Sequence, residues 1–384
     1  MGQNAGRDIA IIGGGIGGLT AALAFARSGA RVCVYEQAPA IAEVGAGLQI
    51  TPNGARALAA LGLTPAVDQA GLRAHAVQPM DALTGRLIAL FDLGRQSPPY
   101  RFMHRADLIA ALAAACRDQG VTIKLDARIT DVAADGSFDS GAGRVSPRLT
   151  IGADGLHSIL RPVLNGTDAP FFTGQVAWRA IIPAVAAPVA QIWMAPGRHL
   201  VSYPLQGDRL NLVAVQERAH WAKEGWHHAD DPANLCAAFA DCAPVVRQML
   251  AQVTTTHLWG LFRHPVAANW YGAGTVILGD AAHPTLPFLA QGANLAIEDG
   301  YVLAACCDRN VDLATGLAAY KAARRPRVMR AIKAANANAR NYHLSGVQRR
   351  IAHLGLKTFG TLAPDAFINR LGWLYDHDVT ASSE

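Results

Sequence analysis

The sequence lacks several features that would assign it to a membrane, secreted or nucleic-acid-binding protein. It has no apolar run approaching the ~20 residues that a spanning helix needs. Its polar start, residues 1–8, has neither the basic nor the apolar region of a signal peptide, so we expect a cytoplasmic protein with no integral membrane segment. The 34 basic and 29 acidic residues give a formal net charge of +5 with no long run of one sign. This mild excess favours anionic small molecules and argues against nucleic acid as a partner.

Cysteine chemistry is also sparse. The six cysteines form no C-x-x-C pair and lack histidines at zinc-site spacing, so we expect no metal and interpret them as buried, reduced thiols. The composition, 51% hydrophobic and 16% charged, is that of a globular chain. Its 384 residues exceed the roughly 250–300 that a single core usually supports, which predicts two domains.

The sequence does contain a dinucleotide-binding pattern near its start. An apolar run leads into Gly13-x-Gly15-x-x-Gly18, a helix-like segment follows, and a second apolar run ends at Glu36. Glycines let the backbone approach a pyrophosphate, a helix N-terminus offers free N–H groups, and a carboxylate accepts ribose hydroxyls. The pattern predicts a strand, a glycine turn, a helix and a strand that bind a dinucleotide. By itself it fits NAD as well as FAD.

Two later strands also end in an acid. The first delivers Asp154 and the second Asp280. Ligands of open α/β sheets collect at the carboxyl ends of the strands, so both acids are predicted to bind rather than to pack. A Pro/Gly loop follows Asp280 and leads to a helix at about 294–306, whose N-terminus could face an electron-rich or anionic group. We interpret His283, in this loop, as stabilising the loop rather than acting as a base.

The segments around these motifs suggest how the chain is divided. Residues 171–270 alternate like strands with turn residues between them, with one helix near 232–251, which predicts a separate antiparallel sheet. Residues 74–100 resemble a β-ribbon, and 121–125 and 128–133 are two short strand candidates. The glycines of the segment 44–53, Gly45 and Gly47, could let backbone lie against a flat ligand.

The C-terminal part is predicted to be helical. We interpret the basic segment 315–343 as a solvated helix face, with a phosphate site as the alternative. The tail, 344–375, has apolar residues at helical spacing and a break at Pro364. Packing against the two domains is the expected role of this tail, and membrane-surface contact or dimerisation the alternatives.

Three motifs together resemble one family. GGGIGG followed by Glu36, GADGLHSILR at 152–161 and GDAAHPTLPFLAQGANLAIEDG at 279–300 are similar to motifs of the single-component FAD monooxygenases that hydroxylate para-hydroxybenzoate, salicylate, 3-hydroxybenzoate or 6-hydroxynicotinate. The resemblance spans essentially the whole chain. It implies an α/β fold, a Rossmann-like FAD-binding domain with an inserted antiparallel-sheet substrate domain and C-terminal helices. The expected boundaries are 1–75, 100–170 and 270–343 for the FAD-binding domain, 76–99 and 171–269 for the substrate domain, and 344–384 for the C-terminal segment.

The resemblance also implies how FAD is bound. The glycine turn would line the pyrophosphate, Glu36 the adenosine ribose, and Asp280 the ribityl chain, while Arg105 would reach the flavin side. In this family the motif of Asp154 is associated with both FAD and NAD(P)H. The implied cofactor residues are Gly13, Gly15, Ile16, Gly17, Gly18, Glu36, Gln37, Leu48, Arg105, Asp154, Asp280, Gly292, Ala293 and Asn294.

The implied reaction is hydroxylation of an electron-rich ring, with NADH or NADPH as electron donor and oxygen transferred from O₂ through a flavin hydroperoxide. His199 and Tyr203 are four residues apart, so on a strand they share one face, where a histidine could deprotonate a phenol and a tyrosine could orient it. A buried histidine and a core tyrosine without catalytic roles are the alternative. Pro287 would present a carbonyl near the reacting oxygen, and Gln49 and Phe288 would line the substrate pocket.

Two other functions remain open at this point. A FAD-linked reductase or dehydrogenase for an isoprenoid or quinone-type substrate would share all three motifs without inserting oxygen. A non-catalytic flavin-binding protein would oxidise no NAD(P)H. The sequence leaves open a monomer or a homodimer.

Overall fold

The computed structural model describes residues 2–41, 46–220, 228–363 and 369–381. Its strands are β1 (Asp8–Ile12), β2 (Arg31–Tyr35), β3 (Gly47–Ile50), β4 (Leu72–Arg73), β5 (Ala76–Asp81), β6 (Phe91–Asp92), β7 (Arg101–His104), β8 (Thr122–Lys124), β9 (Phe138–Asp139), β10 (Arg144–Val145), β11 (Leu149–Gly152), β12 (Phe171–Pro183), β13 (Val189–Ala195), β14 (Arg198–Leu205), β15 (Arg209–Glu217), β16 (His228–Asp230), β17 (Thr256–Arg263) and β18 (Thr275–Ile277).

The α-helices lie between and after these strands. They are α1 (Ile16–Arg27), α2 (Pro52–Ala60), α3 (Thr64–Ala70), α4 (Arg105–Asp118), α5 (Leu160–Asn165), α6 (Pro232–Ala238), α7 (Pro244–Leu250), α8 (Gln291–Arg309), α9 (Leu313–Tyr342), α10 (Gly346–Leu362) and α11 (Gly372–Tyr375). Gly155–His157 and Gly279–Ala281 form short 3-10 turns. No helix in the described ranges combines the length and the apolar character needed to cross a membrane.

A five-stranded parallel sheet is built around the N-terminal strand, in the order β18–β11–β1–β2–β8. Residues 9–12 of β1 are buried, as expected for a central strand covered on both faces. The chain then turns at Gly13, whose φ of +105° a side chain would strain. A Cβ there would lie 2.4 Å from the carbonyl oxygen of Ala153, after β11. The turn therefore brings the start of α1 against the carboxyl ends of two neighbouring strands.

A second sheet of eight strands has the order β16–β17–β12–β15–β14–β13–β5–β6. Its central strands are antiparallel, as the alternating pattern predicts. β13, β14 and β15 form hairpins in sequence order, while β12 pairs with β15 and β17. β5 comes from an earlier part of the chain and pairs in parallel with β13. The ribbon predicted at 74–100 is therefore the edge of this larger sheet. A smaller antiparallel sheet, β3–β7–β4, packs beside it.

Two local predictions are wrong. Residues 128–133 form no strand: Ile129 and Val132 are buried, but the segment has no ladder partner in the described structure. The single helix predicted near 232–251 is two helices, α6 and α7. The break has a local cause, since Pro244 has no N–H to continue a helix and instead occupies the first turn of α7.

The interpretation of 315–343 as a solvated basic face is also wrong for its central residues. Arg324 is buried and forms ion pairs with Glu298 and Asp299 of α8, and Arg327 pairs with Glu298. The two acids are adjacent on α8, and the two arginines are three residues apart on α9. The acids therefore face the arginines across the contact between the two helices. The charges hold two helices together instead of facing solvent.

The prediction that the tail packs on the domains holds for its end and only in part for α10, which contacts β5 through the ion pair of Arg349 with Asp81. Leu374 is buried, and Arg330 stacks 3.9 Å above the ring of Trp373. In contrast, α10 has no buried residue among those described. Ile351 and Leu354 on this helix are each 66% exposed. Pro364 lies outside the described residues.

The cysteine prediction is partly confirmed. All six are free thiols, and the buried ones are Cys116, Cys242 and Cys307. The other three are half-buried. Burial raises the pKa of the Cys116 and Cys307 thiols to about 12, which keeps both protonated at neutral pH.

Candidate functional site

The main cleft lies between the carboxyl ends of the parallel sheet and one face of the eight-stranded sheet. The parallel-sheet side contributes Gly15, Ile16, Gly17, Arg105, Ala153, Gly155, Leu156, His157, Leu278, Gly279, Asp280, Thr285, Leu286, Pro287, Ala290, Gln291, Gly292, Ala293 and Ala296. The opposite side contributes Arg179, His199, Val201, Tyr203, Val213, Val215, Trp259, Gly260, Leu261 and Phe262, and β3 contributes Gly47, Leu48 and Gln49. Residues far apart in sequence thus meet where parallel strands end.

The glycine turn forms the bottom of this cleft. Gly15 precedes α1, and a Cβ there would meet no protein atom within 4 Å, so the space in front of it is open to a ligand. Glu36 follows β2 and lies beside the turn: its Oε2 accepts a hydrogen bond from the Gly14 N–H at 2.6 Å. Its Oε1 accepts another from the Ala38 N–H at 2.8 Å. The acid predicted for the ribose is therefore held next to the helix N-terminus.

The two other acids are placed differently. Asp280 follows β18 and its side chain is open to the cleft. The surrounding protein still shields it from bulk water, which raises its pKa, and the charges of His283 and Arg105 partly offset that rise. Asp154 is not among the described residues that line the cleft. Its Oδ2 accepts a hydrogen bond from the Ile159 N–H at 2.8 Å, and burial raises its pKa. The residues on either side of Asp154 do line the cleft.

The start of α8 points into the same cleft. Ala290, the residue before the helix, has a left-handed φ of 55°, and it lines the cleft with Gly292 and Ala293. The unpaired N–H groups of a helix start attract electron-rich ligand atoms. Asn294, one residue further, is buried behind the cleft, where its side chain donates to the carbonyl of Gln49 at 2.9 Å. Asn294 thus fixes β3 against α8.

β3 brings three residues to the cleft. Leu48 and Gln49 line it as predicted, and the Tyr100 hydroxyl donates to Gln49 Oε1 at 2.5 Å. Gly47 lines the cleft as well, and the structure gives a second reason for a glycine there. A Cβ at Gly47 would lie 2.7 Å from the Tyr203 ring, so this glycine makes room for a side chain of the large sheet. Gly45 lies outside the described residues.

His199 and Tyr203 share one face of β14, as their spacing predicts, and both line the cleft. His199 pairs with Val215, and Val201 with Val213, on the neighbouring strand β15. Both pairs line the cleft, so this face of the sheet continues across the two strands. Burial and the nearby His343 lower the pKa of His199 well below its usual value, so its ring is neutral at pH 7.

The same face presents a cation that the sequence analysis missed. Arg179 on β12 lies opposite Val213 in the strand register and lines the cleft. Its guanidinium stacks 4.8 Å above the ring of Trp259, and its charge opposes the effect of burial, which raises the pKa of Tyr203. The available signal was an arginine within the apolar run QVAWRAIIP, in the segment predicted to form the sheet of the substrate domain.

The remaining predicted residues divide between the cleft and its support. Pro287 lines the cleft. Phe288 is buried and packs behind, with its ring 5.4 Å from that of His199. Gln37 is exposed next to Glu36. His283 is buried, bonds to Asp299 at 2.5 Å and stacks on Trp270, as expected of a residue that stabilises the loop.

These residues fit FAD as a ligand. The open space at Gly15 and the start of α1 suit a pyrophosphate, since backbone N–H groups and a helix dipole favour anionic groups there. Asp280 offers a carboxylate to hydroxyl groups in the middle of the cleft. Beyond it, the start of α8 and the backbone of Gly47 and Leu48 leave space for a flat ring between the two sheets.

Comparisons with known proteins agree with this geometry. A family model described as FAD binding domain matches residues 7–335. The 3-amino-4-hydroxybenzoate 2-monooxygenase PtmB3 of Streptomyces platensis is 34% identical over 390 residues, 94% of this chain and 95% of the relative. The 3-hydroxybenzoate 6-hydroxylase 1 of Aquipseudomonas alcaligenes is 33% identical over 401 residues, 97% of this chain and 98% of the relative. The crystal structure of Klebsiella pneumoniae HpxO complexed with FAD and uric acid has a TM-score of 0.81 at 26% identity and covers 95% of both chains.

The comparisons also decide between the functions that the sequence left open. Both relatives are oxygen-inserting enzymes by name, and each matches nearly its whole length. This supports the hydroxylase function over a reductase or a non-catalytic flavin-binding protein. The predicted fold class, with FAD as cofactor, is confirmed. The chain therefore belongs to the FAD binding domain family and is one of its FAD-dependent aromatic hydroxylases.

Proposed function

We propose that this protein hydroxylates a phenolic aromatic acid, a hydroxybenzoate or a hydroxypyridine carboxylate, with NADH or NADPH and O₂ as co-substrates, in the cytoplasm. The observation that carries the proposal is the arrangement of three side chains on one face of the large sheet. A neutral histidine, a tyrosine and an arginine, His199, Tyr203 and Arg179, line the cleft opposite the dinucleotide-binding turn. A phenolic acid offers matching groups, a hydroxyl to deprotonate and a carboxylate to pair.

Each of the three side chains has a role in this proposal. His199 accepts the proton of the ring hydroxyl, because its neutral ring has a lone pair that an ammonium or guanidinium lacks. The phenolate that results is a more electron-rich ring. Tyr203 orients the hydroxyl by a hydrogen bond. Arg179 pairs with the carboxylate and fixes the ring position, since a guanidinium matches a carboxylate with two parallel hydrogen bonds.

The cofactor side of the cleft would hold FAD by the residues implied from the sequence. Gly15, Gly17 and Glu36 take the ADP part, Asp280 the ribityl hydroxyls, and Gly292 and Ala293 the ring. FAD bound there would take two electrons from NAD(P)H and activate O₂, of which one atom enters the substrate and the other leaves as water. The apolar lining from β15 and the backbone at Pro287 keep bulk water from the reacting atoms.

The proposal is tested with a substrate panel. The FAD-loaded enzyme is mixed with NADH or NADPH and with hydroxybenzoates, aminohydroxybenzoates, hydroxynicotinates and their amides. Both cofactor oxidation and hydroxylated product are measured. At least one acid is expected to give a hydroxylated product in step with NAD(P)H oxidation, and its amide much less. NAD(P)H oxidation that yields hydrogen peroxide and no product with every phenolic acid would contradict the proposal.

The base assignment has its own variant. His199→Asn is expected to lower kcat by about 100-fold or more, because a positioned general base contributes about that much. In the wild type, activity should fall at low pH as His199 becomes protonated. This fall should be absent in His199→Asn. His75→Asn is the matched control, since His75 is exposed and lies outside the cleft. An unchanged pH profile in His199→Asn would show that His199 is not the base.

A further inference from the structure

His199 has a second contact that leads away from the cleft. Its Nδ1 lies 2.7 Å from Nε2 of His343, the residue that ends α9. Nδ1 of His343 lies 2.8 Å from a carboxylate oxygen of Glu217 at the end of β15. The side chain of His343 is 2% exposed, while that of Glu217 is 54% exposed. These three residues form a continuous hydrogen-bonded chain from the cleft to solvent.

The fold places these residues together through the strand register. His199 lies opposite Val215, and Glu217 follows two residues later, so its side chain leaves the sheet on the same face. The end of α9 is tied to the turn before β14, since the Gly197 N–H donates to the carbonyl of His343 at 3.1 Å. The Glu217 N–H donates to the carbonyl of Gly197 at 2.9 Å. Backbone contacts therefore hold the imidazole of His343 between the side chains of His199 and Glu217.

The carboxylate fixes the direction of both hydrogen bonds. An ionised Glu217 can only accept, so Nδ1 of His343 carries the proton and donates it. Nε2 of a neutral His343 then has a lone pair, which accepts the proton on Nδ1 of His199. Nε2 of His199 is thereby left unprotonated, and it has no hydrogen-bond partner among the described residues. His199 is in the tautomer that a base for a phenol in the cleft needs.

We infer that His343 and Glu217 form a proton path that carries the substrate proton from His199 to solvent. The inference rests on the proposed role of His199 as the base. The phenol proton binds to Nε2 of His199, the Nδ1 proton moves to Nε2 of His343, and the Nδ1 proton of His343 moves to Glu217 and on to water. The reverse sequence returns one proton to the product hydroxyl and restores both tautomers, so no net charge accumulates.

The surroundings of His199 explain why it needs such a path. Its ring packs against Tyr342 and Phe288, with ring centroids 5.2 and 5.4 Å away. Tyr203 and Arg179 share its cleft. A buried imidazole beside a second histidine holds a positive charge poorly. Accepting one proton while releasing another avoids that charge, because both rings stay neutral.

A chain that merely fastens α9 to the sheet would have the same contacts, so the variants must separate fastening from proton transfer. Glu217→Gln keeps an oxygen that accepts from His343 and preserves the tautomers, but an amide cannot take up the proton. His343→Gln interrupts the chain at its centre. Asp241→Asn is the matched control, an exposed carboxylate that pairs with Arg198 on the same sheet and stands outside the chain.

The first measurement is proton release from the FAD-loaded enzyme. 3-Hydroxybenzoate is mixed with each variant in weak buffer containing a pH indicator, and the rate of release is followed. Glu217→Gln and His343→Gln are expected to release the proton about tenfold more slowly or less completely, with the melting temperature of Glu217→Gln unchanged. Asp241→Asn should match the wild type. Release at the wild-type rate from Glu217→Gln, or no release from the wild type, would overturn the proton path.

The second measurement does not depend on a substrate. ¹⁵N spectra of the histidine rings in the FAD-loaded wild type are expected to show His199 and His343 neutral, both protonated at Nδ1. A proton on Nε2 of His199 would overturn the path. If no phenolic acid gives hydroxylated product while these spectra show the expected tautomers, the proposed function fails and the hydrogen-bonded chain stands. If product forms and proton release in Glu217→Gln is unchanged, the proposed function stands and the path fails.

Discussion

At the scale of single residues, Arg179 shows how a cleft-facing cation can define the substrate. It lines the same cleft as the base candidate His199 and is held in place by stacking on Trp259. Arg218 makes a similar stack, 5.1 Å above Trp178, but is not among the described residues that line the cleft. Of these two arginines, Arg179 faces the cleft and Arg218 does not.

We predict that Arg179→Gln raises KM for a phenolic acid by roughly 10- to 100-fold, because a hydrogen bond to a charged group contributes about 1.5–3 kcal/mol. The KM for the corresponding amide should change little, since it carries no charge to pair. Steady-state kinetics with both compounds measures the difference. Arg218→Gln is the control and should leave both values near wild type. Equal losses for acid and amide in Arg179→Gln would show that Arg179 does not bind the carboxylate.

At the scale of elements, the contact between α8 and α9 supports the cofactor side of the cleft. Asp299 of α8 pairs with Arg324 at 2.7 Å and accepts the Gly279 N–H at 3.0 Å, next to Asp280. Arg324 and both its acid partners are buried. Burial would raise the pKa of Asp299, but the charges of His283 and Arg324 lower it to about 2, so the acid stays ionised. A buried charge network thus holds the turn that carries Asp280.

We predict that Arg324→Met lowers the free energy of unfolding by about 3–5 kcal/mol, because it removes a cationic partner from each of two buried carboxylates, Glu298 and Asp299. FAD should also bind more weakly, since the turn at Gly279 loses its anchor. Chemical denaturation and FAD titration measure the two effects. Lys333→Ala, an exposed change on the same helix, is expected to stay within about 0.5 kcal/mol of wild type. A variant as stable as wild type would mean that the network does not stabilise the fold.

At the scale of the whole molecule, histidines whose pKa is lowered in the folded protein make stability depend on pH. Burial is the largest cause of a lowered pKa in five histidines: His104, His199, His343, His353 and His377. Such a histidine has a lower pKa in the folded chain than its value of about 6.5 in the unfolded chain. Its contribution to the free energy of unfolding is complete above pH 6.5, roughly, and is lost as the pH falls. The unfolded chain takes up protons that the folded chain excludes. The protein is therefore expected to be less stable at pH 5 than at pH 7.5.

The measurement is the melting temperature of the FAD-free protein at the two pH values. We predict that His199→Asn reduces the fall between pH 7.5 and pH 5 by about 2 °C, because His199 is the fully buried group with the strongest shift. His75→Asn should show the wild-type fall, since His75 is exposed. Asp299 does not contribute in this range, because its lowered pKa affects stability only below its unfolded value of 3.8. If the melting temperature of His199→Asn fell as much as that of the wild type, His199 would not be a source of this pH dependence.

Much of the local structure of this protein can be predicted from its sequence alone. The glycine turn, the strands that end at Glu36 and Asp280, and the alternation that puts His199 and Tyr203 on one face all follow from short-range geometry and side-chain period. The family resemblance added the cofactor and the reaction. These features could be predicted because each depends on residues within one element or on motifs of fixed spacing.

The tertiary structure alone decided which distant residues meet. The basic pattern of α9 gives no sign that Arg324 is buried, because its partners lie on another helix. The pairing of His199 with His343, 144 residues later in the chain, depends on where α9 ends against the sheet. Gly47 makes room for Tyr203 from a different sheet. Contacts of this kind depend on how elements pack, and packing leaves no periodic signal in the sequence of either partner.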